Sequence, residues 1–246
     1  MSSISPAAKN GQPPPGVWTT IAPYVIPPIA ATTAVVLPFR DLIGKTWQQK
    51  GLPIPPLTMW NGVKEGLVNA PKVGAIIGVQ MGLQKVVEKG IGEHVNPEGL
   101  TGKLVSSGIV GIASSPFLAV FNGGAANLST LESIKRLSFK QCGALAVQET
   151  AFVGGLSAAD LLAQQMKLKF GDNKAVEYSA AFISGAGGSL TGHFANTAVT
   201  RWQNELPVES FRQLWWGAFR KGRAIAFFSL FYKLGKDALN STVPRQ

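Results

Sequence analysis

LVSSGIVGIASSPFLAVFNGGAANLSTL, residues 104–131, runs for 28 residues without one charged side chain. A bilayer core of about 30 Å takes about 20 helical residues, so the stretch is long enough to span one. Its composition is unusual for a lone span, being rich in Gly, Ala and Ser rather than Leu and Phe. Small, mildly polar residues suit a helix packed among other helices or lining a cavity. Two further runs share this character: residues 10–39, with 30 uncharged positions, and residues 178–200, with 23. Shorter apolar stretches fill the intervals. Residues 66–87 carry only Lys72 and Lys85, residues 141–162 only Glu149 and Asp160, and residues 217–234 carry Arg220, Lys221, Arg223 and Lys233. The expectation is an all-α membrane protein of six transmembrane helices.

Composition narrows the function classes. The chain of 246 residues is 46% hydrophobic and 15% charged, against about 25% charged in an ordinary soluble domain. Disorder needs the opposite balance. Cys142 is the only cysteine, which excludes a disulfide scaffold and a cysteine metal cluster. His94 and His193 lie far apart, and neither neighbours a nucleophile, base and orienter, so neither an enzyme nor a metal or other cofactor is expected. The net charge is +10. The bases flank apolar stretches at Lys45 and Lys50, at Lys135, Arg136 and Lys140, at Lys167 and Lys169, and at Arg220, Lys221 and Arg223. Anionic head groups are a simpler partner for them than nucleic acid. The string Gly185-Ala186-Gly187-Gly188 lacks a preceding strand and falls inside a span, so it is not read as a phosphate loop. Residues 1–16 are rich in Pro, Ser and Gly, with Lys9 their one charge.

A period organises the rest. Leu37-Pro38-Phe39 ends the first run, and Ser115-Pro116-Phe117 stands at the matching place in the second. The interval from Pro38 to Pro116, applied once more, leads to Phe194, within Gly192-His193-Phe194-Ala195-Asn196-Thr197. Trp60-Asn61-Gly62, Gln141-Cys142-Gly143 and Trp215-Trp216-Gly217 each open a second segment. The reading is an N-terminal extension, 1–16, and three two-helix repeats of about 80 residues: 17–95, 96–173 and 174–246.

Three such repeats, each with two membrane helices and a proline late in the odd one, resemble the mitochondrial carrier family. Thr200-Arg201-Trp202-Gln203 is similar to the family's Thr-Arg-x-Gln. Residues 214–223, Leu-Trp-Trp-Gly-Ala-Phe-Arg-Lys-Gly-Arg, resemble the segment before its sixth helix, and Ser229-Leu230-Phe231-Tyr232-Lys233 its Phe-x-x-Tyr-Glu. The likeness covers roughly residues 17 to 240. It implies a six-helix bundle in the mitochondrial inner membrane, targeted internally, with cardiolipin as a structural lipid. In the family a lipid phosphate sits beside an aromatic-x-Gly at a helix N-terminus. The matching residues are Trp60 and Gly62, Gly143, and Trp216 and Gly217.

The family's signature, Pro-x-acid-x-x-base, builds a ring of three salt bridges that closes one end of the cavity. In register this chain offers Arg40 and Ile43, then Leu118 and Phe121, then Asn196 and Val199 at the acidic and basic places, so no pair survives. Asp41 and Lys45 could keep a local i,i+4 pair. At the opposite gate only Asp160 keeps an acid, and Lys233 puts a base where an acid belongs. Glycine packing stripes remain, at Gly74, Gly78 and Gly82 and at Gly188 and Gly192. The third repeat lacks the proline, which predicts a straighter fifth span. The chain thus reads as a degenerate member lacking intact signatures. The favoured function is a non-transporting structural subunit of a larger inner-membrane assembly, such as a respiratory complex or ATP synthase. The alternative is an atypical carrier of a small anionic metabolite, with Arg220, Gln148, Lys72 and Arg223 at its cavity.

Overall fold

The computed structural model describes residues 17–97, 99–124 and 128–242. The N-terminal extension, residues 1–16, lies outside the described residues. Every regular element among them is helical: ten α-helices and one short 3₁₀ helix. They are α1 (Val17–Ala34), α2 (Phe39–Gln49), α3 (Met59–Ile91), α4 (Leu100–Ala113), α5 (Ser115–Gly124), α6 (Thr130–Lys135), α7 (Phe139–Phe170), α8 (Lys174–Thr191), α9 (His193–Gln203) and α10 (Ala218–Asn240). The 3₁₀ helix, Phe211–Trp215, precedes α10.

The count exceeds six because each long uncharged run is interrupted. Pro38 closes the break between α1 and α2, whose axes diverge by 71°. Pro116, which has no N–H to donate, follows the break at Ser114, where the Ser115 hydroxyl donates back to the Gly111 carbonyl at 2.8 Å. Gly192 separates α8 from α9. Here no proline acts, and the ladder persists through Gly192 N–H to Gly188 O and Asn196 N–H to Gly192 O, both 3.2 Å. These breaks shorten the apolar helices. No single helix among the described residues is long and apolar enough to cross a membrane. The bent pair Tyr24–Ala34 and Phe39–Gln49 passes by length and composition, and Thr101–Ala113 is a shorter apolar helix.

Local chemistry sets the remaining ends. Thr58 caps α3 by accepting from the Asn61 N–H, and Asn173 caps α8 by accepting from the Val176 N–H. Ser129 and Glu132 form a reciprocal capping box on α6. Gly51, Gly171 and Gly217 have positive φ and turn the chain out of α2, out of α7 and into α10.

The helices pack in a closed circuit. α1 contacts α3, α3 contacts α4, α4 contacts α7, α7 contacts α8, α8 contacts α10, and α10 returns to α1. α2, α5 and α9 continue beyond the breaks at one end.

Glycines set how close the helices come. On α3, Gly62, Gly66 and Gly74 face Arg40, the Val36 backbone and Thr32, and Gly78 faces Pro28. With buried Ala70 they form a stripe of small residues every four positions along α1 and α2. The stripe therefore starts well before Gly74, and Gly82, expected to extend it, faces open space. Between α7 and α8, Gly155 and Gly188 meet back to back: a Cβ on either would fall 2.6 Å from the other's Cα. Gly192 likewise lies against the Gln148 backbone.

The circuit encloses side chains. Ala31, Ala34, Val35, Phe39, Ala70 and Phe228 form the main buried apolar cluster, with Ile77, Phe152 and Tyr232 packed on it. Phe152 of α7 lies 6.3 Å from Phe228 of α10, ring centre to ring centre. Those two helices are separated in the circuit by α8, so their side chains meet inside it.

Candidate functional site

Beyond the breaks, polar side chains converge on Asn196 of α9, which is buried. Its Oδ1 accepts from Lys45 Nζ at 3.0 Å and from Gln49 Nε2 at 3.1 Å, both on α2. Its Nδ2 donates to Gln148 Oε1 of α7 at 2.8 Å. Gln148 in turn donates to Glu149 Oε1 at 3.2 Å, and Gln80 of α3 donates to Glu149 Oε2 at 3.0 Å. Gln49 Nε2 also donates to Thr197 Oγ1 at 2.8 Å. His193 Nε2 lies 3.0 Å from the Trp216 carbonyl; a carbonyl only accepts, so that nitrogen carries the proton. One connected chain of hydrogen bonds thus crosses α2, α3, α7 and α9. Gln80 to Glu149 is a second bond inside the circuit between helices that are not neighbours in it. Lys221 of α10 is buried too, within electrostatic reach of Glu149 and Lys45.

Polar groups in a dehydrated interior are costly unless they are hydrogen-bonded. Here the chain uses amides for most of the work, so the network holds without balanced charges. Arg201 ties the same level to the backbone, donating to the Gln49 and Pro207 carbonyls at 3.0 and 2.9 Å.

The places that the carrier resemblance assigns to a signature have specific occupants. Asn196, expected at an acidic place, bonds Lys45. Leu118 and Val199, expected at an acidic and a basic place, are buried in one apolar cluster with Leu145. The Phe121 side chain lies outside the described residues. Asp41 does not turn to Lys45. It is held by Arg223, whose Nε donates to Oδ2 at 2.7 Å, with Arg220 3.5 Å from Oδ1. Two cations from α10 reach Asp41 across the α2–α10 contact, while Lys45 points to α9.

The four expected cavity residues are therefore distributed. Gln148 belongs to the Asn196 network. Arg220 and Arg223 sit at Asp41. Lys72 is exposed on α3 and donates to Asn69 Oδ1 at 3.2 Å. Two cavities stand out, of about 410 and 830 Å³, and neither is lined by Gln148, Glu149, Asn196 or Lys221. The expected lipid positions also differ among themselves. Trp60 is 64% exposed beneath Lys64, whereas Gly62 is buried against Arg40. Gly143 faces open space near the α7 N-terminus, where Gln141 Oε1 accepts from the Ser138 N–H at 3.3 Å. Gly217 packs on the Lys45 backbone, and Trp216 stacks under Arg201.

The far end of the bundle carries ion pairs. Just ahead of the uncharged run 178–200, Glu177 meets Lys167 at 2.7 Å, Lys174 at 3.1 Å and Lys233 at 3.6 Å. Hydrogen bonds from Lys167 and Lys174 hold its carboxyl down to about 2. This cluster joins the end of α7, the start of α8 and the end of α10.

Sequence reading placed Asn196 and Lys45 in the signature region, but not the roles of Gln49, Thr197 and Gln80. The available signal was inward-facing amides within long uncharged stretches. The chain matches no protein-family model and no curated protein.

Proposed function

We propose that this chain is a membrane-embedded bundle of three two-helix repeats, similar to the mitochondrial carriers, that serves as a non-transporting structural subunit of an inner-membrane assembly. The repeat reading is supported by spacing. Ser114 and Gly192, at the second and third breaks, are separated by the same interval as Pro38 and Pro116. Counting that interval back from Ser114 leads to Val36, inside the first break. After each break comes a connecting segment and then a long helix: α3, α7 or α10. Anionic lipid, cardiolipin by the resemblance, would surround the bundle, and other subunits of the assembly would cover part of it.

One observation carries the functional half. Side chains from helices that are not neighbours meet inside the circuit, as Phe152 with Phe228 and as Gln80 with Glu149. Alternating access requires two states, each held by contacts the other lacks. A path through this interior would have to part an apolar cluster and a buried amide network together. At the signature places, Asn196 is a neutral amide bonded by Lys45, and Leu118 and Val199 lie with Leu145 in an apolar cluster, where exchangeable charge pairs would serve a gate. This arrangement suits a fixed shape.

Extraction from the native membrane in mild detergent tests it. The chain should migrate far above its own 26.0 kDa together with other polypeptides, and the purified chain in liposomes should exchange neither phosphate, dicarboxylates nor nucleotides. Migration as a lone chain, with anion exchange that Arg220→Ala abolishes, would establish the carrier reading instead.

A further inference from the structure

The larger cavity, about 830 Å³, lies on α7 between α4 and α8. Its floor is α7, where Ala146, Thr150, Gly154 and Ala158 recur every four residues. Leu104 of α4 walls one side, and Gly187 and Thr191 of α8 wall the other. With about 3.6 residues per turn, the floor centres on the side of α7 opposite Glu149 and Phe152, which meet other helices inside the circuit. Val147, at the edge, is 46% exposed. The cavity is thus a groove along the outer flank of the bundle, and no charged side chain lines it. From Ala146 to Leu162 it extends about 24 Å, at about 1.5 Å per residue, most of a bilayer core of about 30 Å.

Thr150 is the polar feature of the floor. Thr32, Thr46, Thr191, Thr197 and Thr200, all within helices, donate their hydroxyls to the carbonyl four residues earlier. The Thr150 hydroxyl has no hydrogen-bond partner among the described residues. Its oxygen faces Gly108 of α4, where a Cβ would fall 3.3 Å away.

These properties select an occupant. A hydroxyl in hydrocarbon is costly without a partner; an acyl chain offers none, whereas a helix side chain does. A strip about 24 Å long and about one helix wide, roughly 10 Å, covers about 240 Å². That is far short of the about 800 Å² per partner of a stable dimer, so the groove seats one helix and not the flank of a second bundle. Small residues let that helix approach closely, and the uncharged lining matches an uncharged span. Resting on the reading of this chain as a subunit of a membrane assembly, we infer that the α4–α7–α8 groove seats one transmembrane helix of a partner subunit. That helix carries bulky aliphatic side chains that enter between the small residues, and a hydrogen-bonding group opposite Thr150.

The test uses the full chain in its native membrane. A photoreactive benzoylphenylalanine replaces Val147, and in a control it replaces Val79, 38% exposed on α3. The Val147 probe should give one discrete adduct, mapped by its peptides to an uncharged span of another polypeptide, and the Val79 probe should not give it. Ala158→Leu fills the floor and should lower the adduct about tenfold or more, by overpacking a close helix contact. The thermal midpoint of the purified variant should match that of the parent chain; where it falls, Ala146→Leu repeats the measurement at the other end of the floor. Adducts with lipid alone, an adduct with a second copy of this chain, the same adduct from Val79, or a yield indifferent to the floor variants would overturn the inference. With the chain still migrating in a large assembly, any of these overturns the groove alone. Migration as a lone chain overturns the assembly reading, and the groove inference with it.

Discussion

Asn196 is the residue on which the interior turns. It accepts two donors from α2 and donates to α7, so removing its side chain leaves the buried Lys45 ammonium without that acceptor and takes one partner each from Gln49 and Gln148. An unsatisfied buried donor costs about 1–3 kcal/mol, and a charged one more. Asn196→Ala should therefore destabilise the protein by about 3 kcal/mol, seen as a clear fall in thermal midpoint in detergent. Asn196→Asp should fall less, because it returns a carboxylate to the place where Lys45 already points. Equal losses would mean that the Lys45 contact contributes little. Sequence alone placed Asn196 at a position where an acid is expected but could not name its partner. The pairing depends on Lys45, which stands two places past the basic position in its own register, and only the bend between α1 and α2 brings it there.

At the scale of helices, glycine position separates close packing from mere composition. Gly155 and Gly188 have no room for a methyl group, whereas Gly82 faces open space. Gly155→Ala should cost about 2 kcal/mol through overpacking of α7 on α8. Gly82→Ala should be neutral or stabilise by up to about 1 kcal/mol, from helix propensity. Thermal midpoints of the two variants measure the contrast, and a Gly82→Ala loss as large as that of Gly155→Ala would contradict the packing described. The helical class was legible from long uncharged runs rich in small residues. The interruptions were legible only where proline marks them, at Pro38 and Pro116. Gly192 carries no such mark, because its break follows from the approach of α7 rather than from its own covalent chemistry. The stripe on α3 was legible in period but not in extent: Gly62 reads as a lipid position and Gly66 as the start of an apolar stretch until α1 and α2 are seen lying over them.

For the molecule as a whole, the decisive property is that the circuit closes. Ala30 on α1 and Gly235 on α10 face each other, and a Cβ on Gly235 would lie 3.5 Å from that of Ala30, within the range bridged by a disulfide. With Cys142→Ser, the pair Ala30→Cys and Gly235→Cys should oxidise readily and shift mobility on a non-reducing gel, while Gly82→Cys with Gly235→Cys should not. Failure of the first pair to form would break the circuit. The same seam fixes an order of events. The residues that meet there stand near opposite ends of the sequence, with nearly the whole chain between them. During synthesis α1 is made first, yet one of its flanks stays bare until α10 emerges. Contacts between neighbours such as α7 and α8 form over short chain distances, but this one bears the largest loop-closure entropy in the fold. The seam should thus be the last joint to form.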